Sequence, residues 1–266
     1  MTNPTGDRWL AGDAYEAYMG RWSRQVAREF VRWLAVSPDR NWLEVGCGTG
    51  ALTTAVCALA NPASITACDP AVPFIEHARA SLADPRVAFT VAAAGNLPTR
   101  ADGFDAAESG LVFNFIPDPA AALRELGCCL KPGGIIGAYV WDYADGMEFL
   151  RIFWEVAARL DPAAAALDEG RRFALCGRGA LEALWRAANL GDVAGGAIEV
   201  PTTFASFDEY WQPFLLGTGP APSYVASLTE AGRSALGDAL RRRLAPAPDG
   251  SIALRARAWA ARGTVT

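Results

Sequence analysis

The chain is poor in the residues that most often carry acid–base and metal chemistry. It holds one histidine, His77, and one lysine, Lys131. Its six cysteines, Cys47, Cys57, Cys68, Cys128, Cys129 and Cys176, form no C-x-x-C pair and meet no histidine cluster. That spacing excludes the familiar zinc motifs and points to reduced, buried thiols, so no metal is expected. No stretch reaches the roughly 18 uninterrupted apolar residues of a membrane span. The N-terminus, with Asp7, Asp13 and Glu16 among aromatics, lacks the basic start and apolar run of a signal peptide, and a cytoplasmic protein is expected. A net charge of −5 gives no clustered basic face for a phosphate backbone, which argues against nucleic acid as a partner. The single dense basic run, Arg241-Arg-Arg243, reads as the solvated end of a helix, where cations oppose the negative dipole end.

What is present is a large apolar fraction, 52% of 266 residues, with 20% charged. That suffices for a well-packed core. From Asn41 to Val140 short apolar runs alternate with helix-like stretches, the pattern of βαβ units and a parallel sheet. Strands are predicted at Trp42 to Val45, Ser64 to Cys68, Arg86 to Val91, Phe104 to Phe113 and Ile135 to Trp141. Helices are predicted at Ala51 to Ala60, Val72 to Leu82 and Asp118 to Leu130, the last stopped by Lys131-Pro-Gly-Gly134. Further helices are expected over Gly146 to Leu160 and Gly179 to Asn189, and strands at Ala197 to Thr203 and Ser251 to Ala260. Between those two strands, Phe207 to Leu244 reads as a helical insertion too long for a hairpin connection, expected to pack as a cap over a pocket.

In an open α/β sheet, ligands bind beyond the carboxyl ends of the strands, where the first loop meets a helix N-terminus. Gly46, Gly48 and Gly50 fall there, in Trp42-Leu-Glu-Val-Gly-Cys-Gly-Thr-Gly50. The pattern is Glu-x-Gly-x-Gly-x-Gly, neither the dinucleotide G-x-G-x-x-G nor a phosphate-binding G-x-x-x-x-G-K-[ST]. Asp69, closing the second strand, can accept hydrogen bonds from both hydroxyls of a ribose. A nucleoside site follows.

Glu44-Val-Gly-Cys-Gly-Thr-Gly50, Asp69-Pro70, Leu97-Pro98, Phe104-Asp105 and Leu130-Lys-Pro-Gly-Gly134 together resemble the class I S-adenosylmethionine-dependent methyltransferases, over roughly residues 40 to 142. The resemblance implies an α/β, Rossmann-like, seven-stranded and mostly parallel sheet with helices on both faces and a helical cap insertion. It implies one domain over 1–266, made of a helical lead-in (1–38), a cofactor-binding core (39–145), a helical segment (146–190), the cap (204–248) and a final strand (249–266). S-adenosylmethionine is the implied cofactor and S-adenosylhomocysteine the product. Glu44 and the loop Gly46, Cys47, Gly48 and Gly50 would hold the methionine end, and Asp69 with Pro70 the ribose. Ala93 to Asn96, including Gly95, would flank adenine. Ser109 and Gly110 would line the methionine side. The lead-in Tyr15-Glu-Ala-Tyr-Met-Gly-Arg-Trp22 resembles the helix that closes over the cofactor in small-molecule members. Tyr18 and Arg21 would then touch cofactor or acceptor, against the alternative of aromatic packing and a surface arginine.

Two departures stand out. Ala93 occupies the place where family members commonly carry an aspartate that bonds the adenine amino group, and Phe113-Asn-Phe-Ile-Pro117 replaces the usual histidine pair after the fourth strand. His77 lies in a helix remote from the acceptor side and reads as structural. Asp142 and Tyr143, emerging from the fifth strand, are the catalytic candidates; Asp142 is equally readable as a helix cap. Glu108 beside Ser109 is a weaker one. The leading expectation is methyl transfer to a small organic acceptor by a monomer or homodimer. The alternatives are the same fold turned to cyclisation, elimination or decarboxylation, and a non-catalytic partner subunit.

Overall fold

The computed structural model describes residues 19–217 and 219–266. Seven strands, β1 (Asn41–Val45), β2 (Ser64–Asp69), β3 (Val87–Val91), β4 (Phe104–Gly110), β5 (Leu130–Trp141), β6 (Gly191–Phe204) and β7 (Ile252–Thr264), form one sheet in the order β3-β2-β1-β4-β5-β7-β6. β1, β2, β3, β4 and β5 run parallel. β7 runs antiparallel to β5, as Gly133 N–H donates to Val265 O at 2.7 Å near one end and Asp142 N–H to Arg257 O at 2.9 Å near the other. The expected mostly parallel, seven-stranded Rossmann-like sheet is therefore what the chain builds.

The helices are α1 (Arg21–Leu34), α2 (Ala51–Leu59), α3 (Val72–Ser81), α4 (Pro119–Cys129), α5 (Glu148–Leu160), α6 (Glu169–Arg172), α7 (Ala180–Ala187), α8 (Phe207–Trp211), α9 (Pro220–Ser227) and α10 (Glu230–Arg243). Local chemistry sets several of their starts. Asp118 accepts from Ala121 N–H at 2.8 Å to cap α4, with Pro119 preset for the first turn. Thr229 caps α10 in the same way through Gly232 N–H.

Several boundaries differ from the sequence pattern: β5 takes in Lys131 to Gly134, where a turn was expected, and β6 starts at Gly191 rather than Ala197. β4 stops at Gly110, not Phe113, because Leu111 turns into the left-handed region at φ 63° and donates to Tyr139 O at 2.8 Å. The next apolar residues then form a 3₁₀ turn, Phe113–Phe115, whose Phe113 ring packs 5.2 Å from Trp185. β7 runs on to Thr264, where Arg262 donates to Trp33 O and Leu34 O at 3.3 and 3.0 Å.

By its internal contacts the chain divides into two compact units. One comprises Ser23–Val140, Arg178–Ile198 and Ala258–Thr266 and contains most of the sheet. In it, Phe30 and Leu34 of α1 press on Gly137, where an added Cβ would stand 2.5 Å from Leu34. Trp185, fully buried, donates its indole N–H to Ile136 O at 3.0 Å. Asp105 ties the amino ends of three strands together, accepting from Asn41 N at 2.9 Å and from Lys131 Nζ at 2.7 Å. Against the penalty of partial burial, those bonds hold its carboxyl below the ordinary range.

The other unit comprises, of the described residues, 19–22, Trp141–Gly177 and Glu199–Arg257. Its centre is aromatic: Phe153 stacks on Phe214 at 4.5 Å, and Tyr210 donates its hydroxyl to Phe149 O at 3.0 Å. Arg241 and Arg243 end α10 on the exposed side, Arg241 over the Phe207 ring at 4.1 Å and Arg243 3.3 Å from Glu155. Among the described residues no helix is long and apolar enough to cross a membrane.

Candidate functional site

The site lies at the carboxyl ends of β1, β2 and β4, within the unit that contains most of the sheet. β1 ends at Val45 and the chain turns at once: Gly46 and Cys47 both donate to Cys68 O, at 2.8 and 3.0 Å, and Gly50 N–H closes the loop on Cys47 O at 2.9 Å. Gly46 has φ 76° and faces Val112 so closely that a Cβ would sit 2.5 Å from its methyl. Gly48, at φ 52°, differs in kind. A Cβ there would meet nothing within 4 Å, so this part of the loop borders open space beside a peptide backbone.

Asp69 stands at the same edge, 7% exposed. One of its oxygens accepts from Gly48 N–H at 3.1 Å and the other from Ala71 N–H at 2.8 Å. Burial raises its carboxyl above the ordinary value while these bonds pull it back. The acid that closes β2 thus also fixes the glycine loop, and Pro70 beside it is exposed.

Glu44 is buried, 1% exposed, and accepts from Thr53 Oγ1 at 2.6 Å. Its bond joins β1 to the first turns of α2. Burial drives its carboxyl up to about 7, against the Thr53 hydrogen bonds. Cys47 is buried and its thiol is pushed far up by burial, which makes it an inert packing group. Ser109 turns its hydroxyl back onto Val45 O at 2.8 Å and is itself buried.

The segment expected to flank adenine is exposed at Ala93, Gly95 and Asn96. Glu125 of α4 holds it from behind, its two oxygens accepting from Gly95 N at 2.5 Å and Leu97 N at 2.8 Å. A Cβ on Gly95 would meet nothing within 4 Å. After β4, Asn114 carries a buried side-chain Nδ2 with no hydrogen-bond partner among the described residues. Thr53, Glu125 and Asn114 are the members that spacing did not reveal. Thr53 is nine residues from Glu44 and thirty separate Glu125 from Gly95, so only the folded backbone brings these pairs together.

Asp142 is 2% exposed, accepts from Arg257 Nε at 2.8 Å and from Asp145 N–H at 3.1 Å, and receives Gly146 N–H on its carbonyl. Its carboxylate is occupied in holding the turn that leads to α5. Tyr143 is buried with its ring 5.9 Å from Phe173. Arg21 pairs with Glu209 and lies 4.9 Å over both Trp22 and Phe204. Tyr18 falls outside the described residues. Glu108 is 0% exposed, and His77 is half-buried on α3. Of the aromatics considered for an acceptor pocket, Trp141, Trp154, Trp185 and Tyr210 are fully buried. Trp211 instead lines a groove of about 680 Å³ with Phe207, Leu215, Arg233 and Arg241.

The cradle fits a nucleoside with an amino-acid tail. Gly48 and Gly95 leave room where a side chain would intrude, and Asp69 places a carboxylate between them in sequence at the end of β2. A family model described as a methyltransferase domain matches residues 43–138. An uncharacterized methyltransferase of Mycobacterium tuberculosis H37Rv is 31% identical over 132 residues, 49% of this chain and 52% of that protein. A trans-aconitate 2-methyltransferase of Methylobacterium radiotolerans is 32% identical over 117 residues, 44% of each. The chain thus spans about half the length, or less, of these relatives. The crystal structure of a putative methyltransferase from Bacillus halodurans superposes with a TM-score of 0.57 at 13% identity, covering 90% of this chain and 98% of that one, which shows a shared fold.

Proposed function

We propose that this chain, which belongs to the class I S-adenosylmethionine-dependent methyltransferase family, transfers a methyl group from S-adenosylmethionine to a small organic acceptor. The observation that carries the reading is the open cradle at Gly48 beside the Asp69 carboxylate.

In this reading Asp69 accepts from the ribose hydroxyls, the backbone of Gly46 to Gly50 faces the methionine end, and Ala93 to Asn96 border the adenine. Bound S-adenosylmethionine would supply a methyl group already activated by its sulfonium, so the protein's task is alignment and exclusion of water. The chain's own residues do that with preset backbone. Gly46 is locked by Val112, Asp69 fixes Gly48, and Glu125 fixes the adenine edge. No mobile side chain is needed to shape the loop.

For the acceptor, Asn114 offers a buried amide donor with no partner, at the turn that follows β4. A carbonyl or carboxylate oxygen of the acceptor would satisfy it. Asp142, held by Arg257 and by Asp145 N–H, is committed to its own turn rather than acting as a base. A small acceptor is supported by the acidic net charge and by the small substrate that the name of the Methylobacterium relative states. Titration calorimetry with S-adenosylmethionine tests the reading. Binding in the micromolar range with methylated product from an acceptor panel is expected, and no heat at millimolar cofactor overturns it.

A further inference from the structure

Glu44 and Glu108 are Cα partners on the adjacent parallel strands β1 and β4, at 1% and 0% exposure. Partnered residues on neighbouring strands share one face of the sheet about 5 Å apart. Glu44 has Thr53 as donor, but neither carboxylate oxygen of Glu108 has any hydrogen-bond partner among the described residues. Among the described residues no cation faces the pair. On β5 the register partner of Glu108 is Gly137, overlaid by Phe30 and Leu34 of α1, whose charged Arg24, Arg28, Glu29 and Arg32 are exposed. On the β2 side stand Asp69, bonded to backbone, and the thiols of Cys68 and Cys47, both raised chiefly by burial. α2 contributes Thr53 and the thiol of Cys57, which burial raises.

Two ionised carboxylates in this setting would each lack compensation, and buried like charges do not both ionise. A proton changes the chemistry: a protonated carboxyl becomes a donor, and its neighbour a ready acceptor. We propose that Glu44 and Glu108 hold one proton between them, and that this shared proton keeps Glu44 bonded to Thr53 and so keeps the glycine loop and the first turn of α2 in cradle geometry. Glu108 is then a positioning residue that acts through Glu44. Burial and the neighbouring Glu44 charge both raise its carboxyl well above the ordinary carboxylate range, in the direction this requires. The effect on cofactor rests on the reading of Gly46 to Gly50 as its cradle; the shared proton does not.

The test compares the wild type with Glu108→Gln, which keeps shape without charge, and Glu108→Val, which suits a buried strand. Melting temperature and S-adenosylmethionine affinity are measured at about pH 6 and about pH 9. The wild type is expected to melt lower and bind about tenfold more weakly at the higher pH, and both variants to flatten most of that difference. An equal pH dependence in wild type and variants overturns the proposal, as does a wild type with none. Should no cofactor bind at either pH, the cradle reading fails, and melting alone decides the pair: flattening in either variant upholds the shared proton, and an unchanged slope sinks it. A protonated carboxyl band in the infrared spectrum at neutral pH, lost in Glu108→Val, is the independent signature.

Discussion

Arg257 donates from Nε and from a terminal nitrogen to one oxygen of Asp142, at 2.8 and 2.7 Å, with Asp142 2% exposed. That pair turns a residue readable as a base into one whose charge is already committed. Removing one member of a buried pair leaves the other uncompensated, at a cost of about 3 kcal/mol when one side is partly solvated, as Arg257 is. Arg257→Ala, which strands a buried carboxylate, is therefore expected to lower the denaturation midpoint, and Asp142→Ala, which leaves a part-exposed guanidinium beside Glu199, to do so by less. Chemical denaturation of both single variants and the double variant gives the coupling. Additive effects would remove the pair from the account.

Gly46 and Gly48 separate folding from binding. Gly46→Ala meets Val112 at 2.5 Å in left-handed backbone, and is expected to cost more than the roughly 1 to 2 kcal/mol of the backbone strain alone. Gly48→Ala meets open space, so it is expected to cost only about that strain while placing a methyl in the cradle. Melting curves beside cofactor titrations should show a folded Gly48 variant with binding lost by tenfold or more. Unchanged affinity in that variant would move the ligand away from the loop.

Asp69→Ala removes charge-assisted bonds worth about 1.5 to 3 kcal/mol, which corresponds to roughly ten- to over a hundredfold in cofactor affinity. It also frees Gly48 N–H and Ala71 N–H, so a lower melting temperature is expected as well. Affinity left intact would refute the ribose role.

The segment Ala93 to Asn96, proposed to border adenine, is expected to respond to a gain of function. Ala93 is exposed, and Ala93→Asp should restore one hydrogen bond, tightening binding by about two- to tenfold for about 0.5 to 1.5 kcal/mol. Glu125→Ala, by freeing Gly95 and Leu97, should weaken binding. Calorimetry on the two variants reads both signs.

Glu169 gives a pH dependence of its own in the other unit. It is 3% exposed and accepts from the Trp154 indole N–H, and burial raises its carboxyl to about 7. The folded state thus holds a proton that the unfolded chain releases near the ordinary value. Its stabilisation is complete below about pH 4.5 and is lost as pH rises through about 7. Melting temperatures from pH 5 to pH 8 should fall less in Glu169→Gln than in the wild type, which alone has that proton to lose. A steeper fall in the variant would contradict it.

Much of the fold was legible because its signals are local. Although Lys131 to Gly134, expected as a turn, lies within β5, the alternation of apolar runs with helical stretches from Asn41 to Val140 acts within a few residues. So does the glycine loop with Asp69 about twenty residues on. The end of β4 was not legible, because an apolar run reads alike as strand or as buried turn, and only the bond from Leu111 to Tyr139 O decides between them.

The sequence by itself determined the order of strands and helices from β1 to β5 and the place of the glycine loop and Asp69 at the strand ends, because periodicity, glycine and a strand-ending acid are properties of short segments. Tertiary structure alone decided what the charged groups do. Whether Asp142 is free or paired depends on a residue 115 positions away, whether Glu125 supports the adenine edge depends on α4 docking behind it, and whether Glu44 stands alone depends on β4 lying beside β1 in one register. A carboxylate's role is set by burial and by the charges and donors within a few ångströms, and those neighbours exist only once distant segments have packed together.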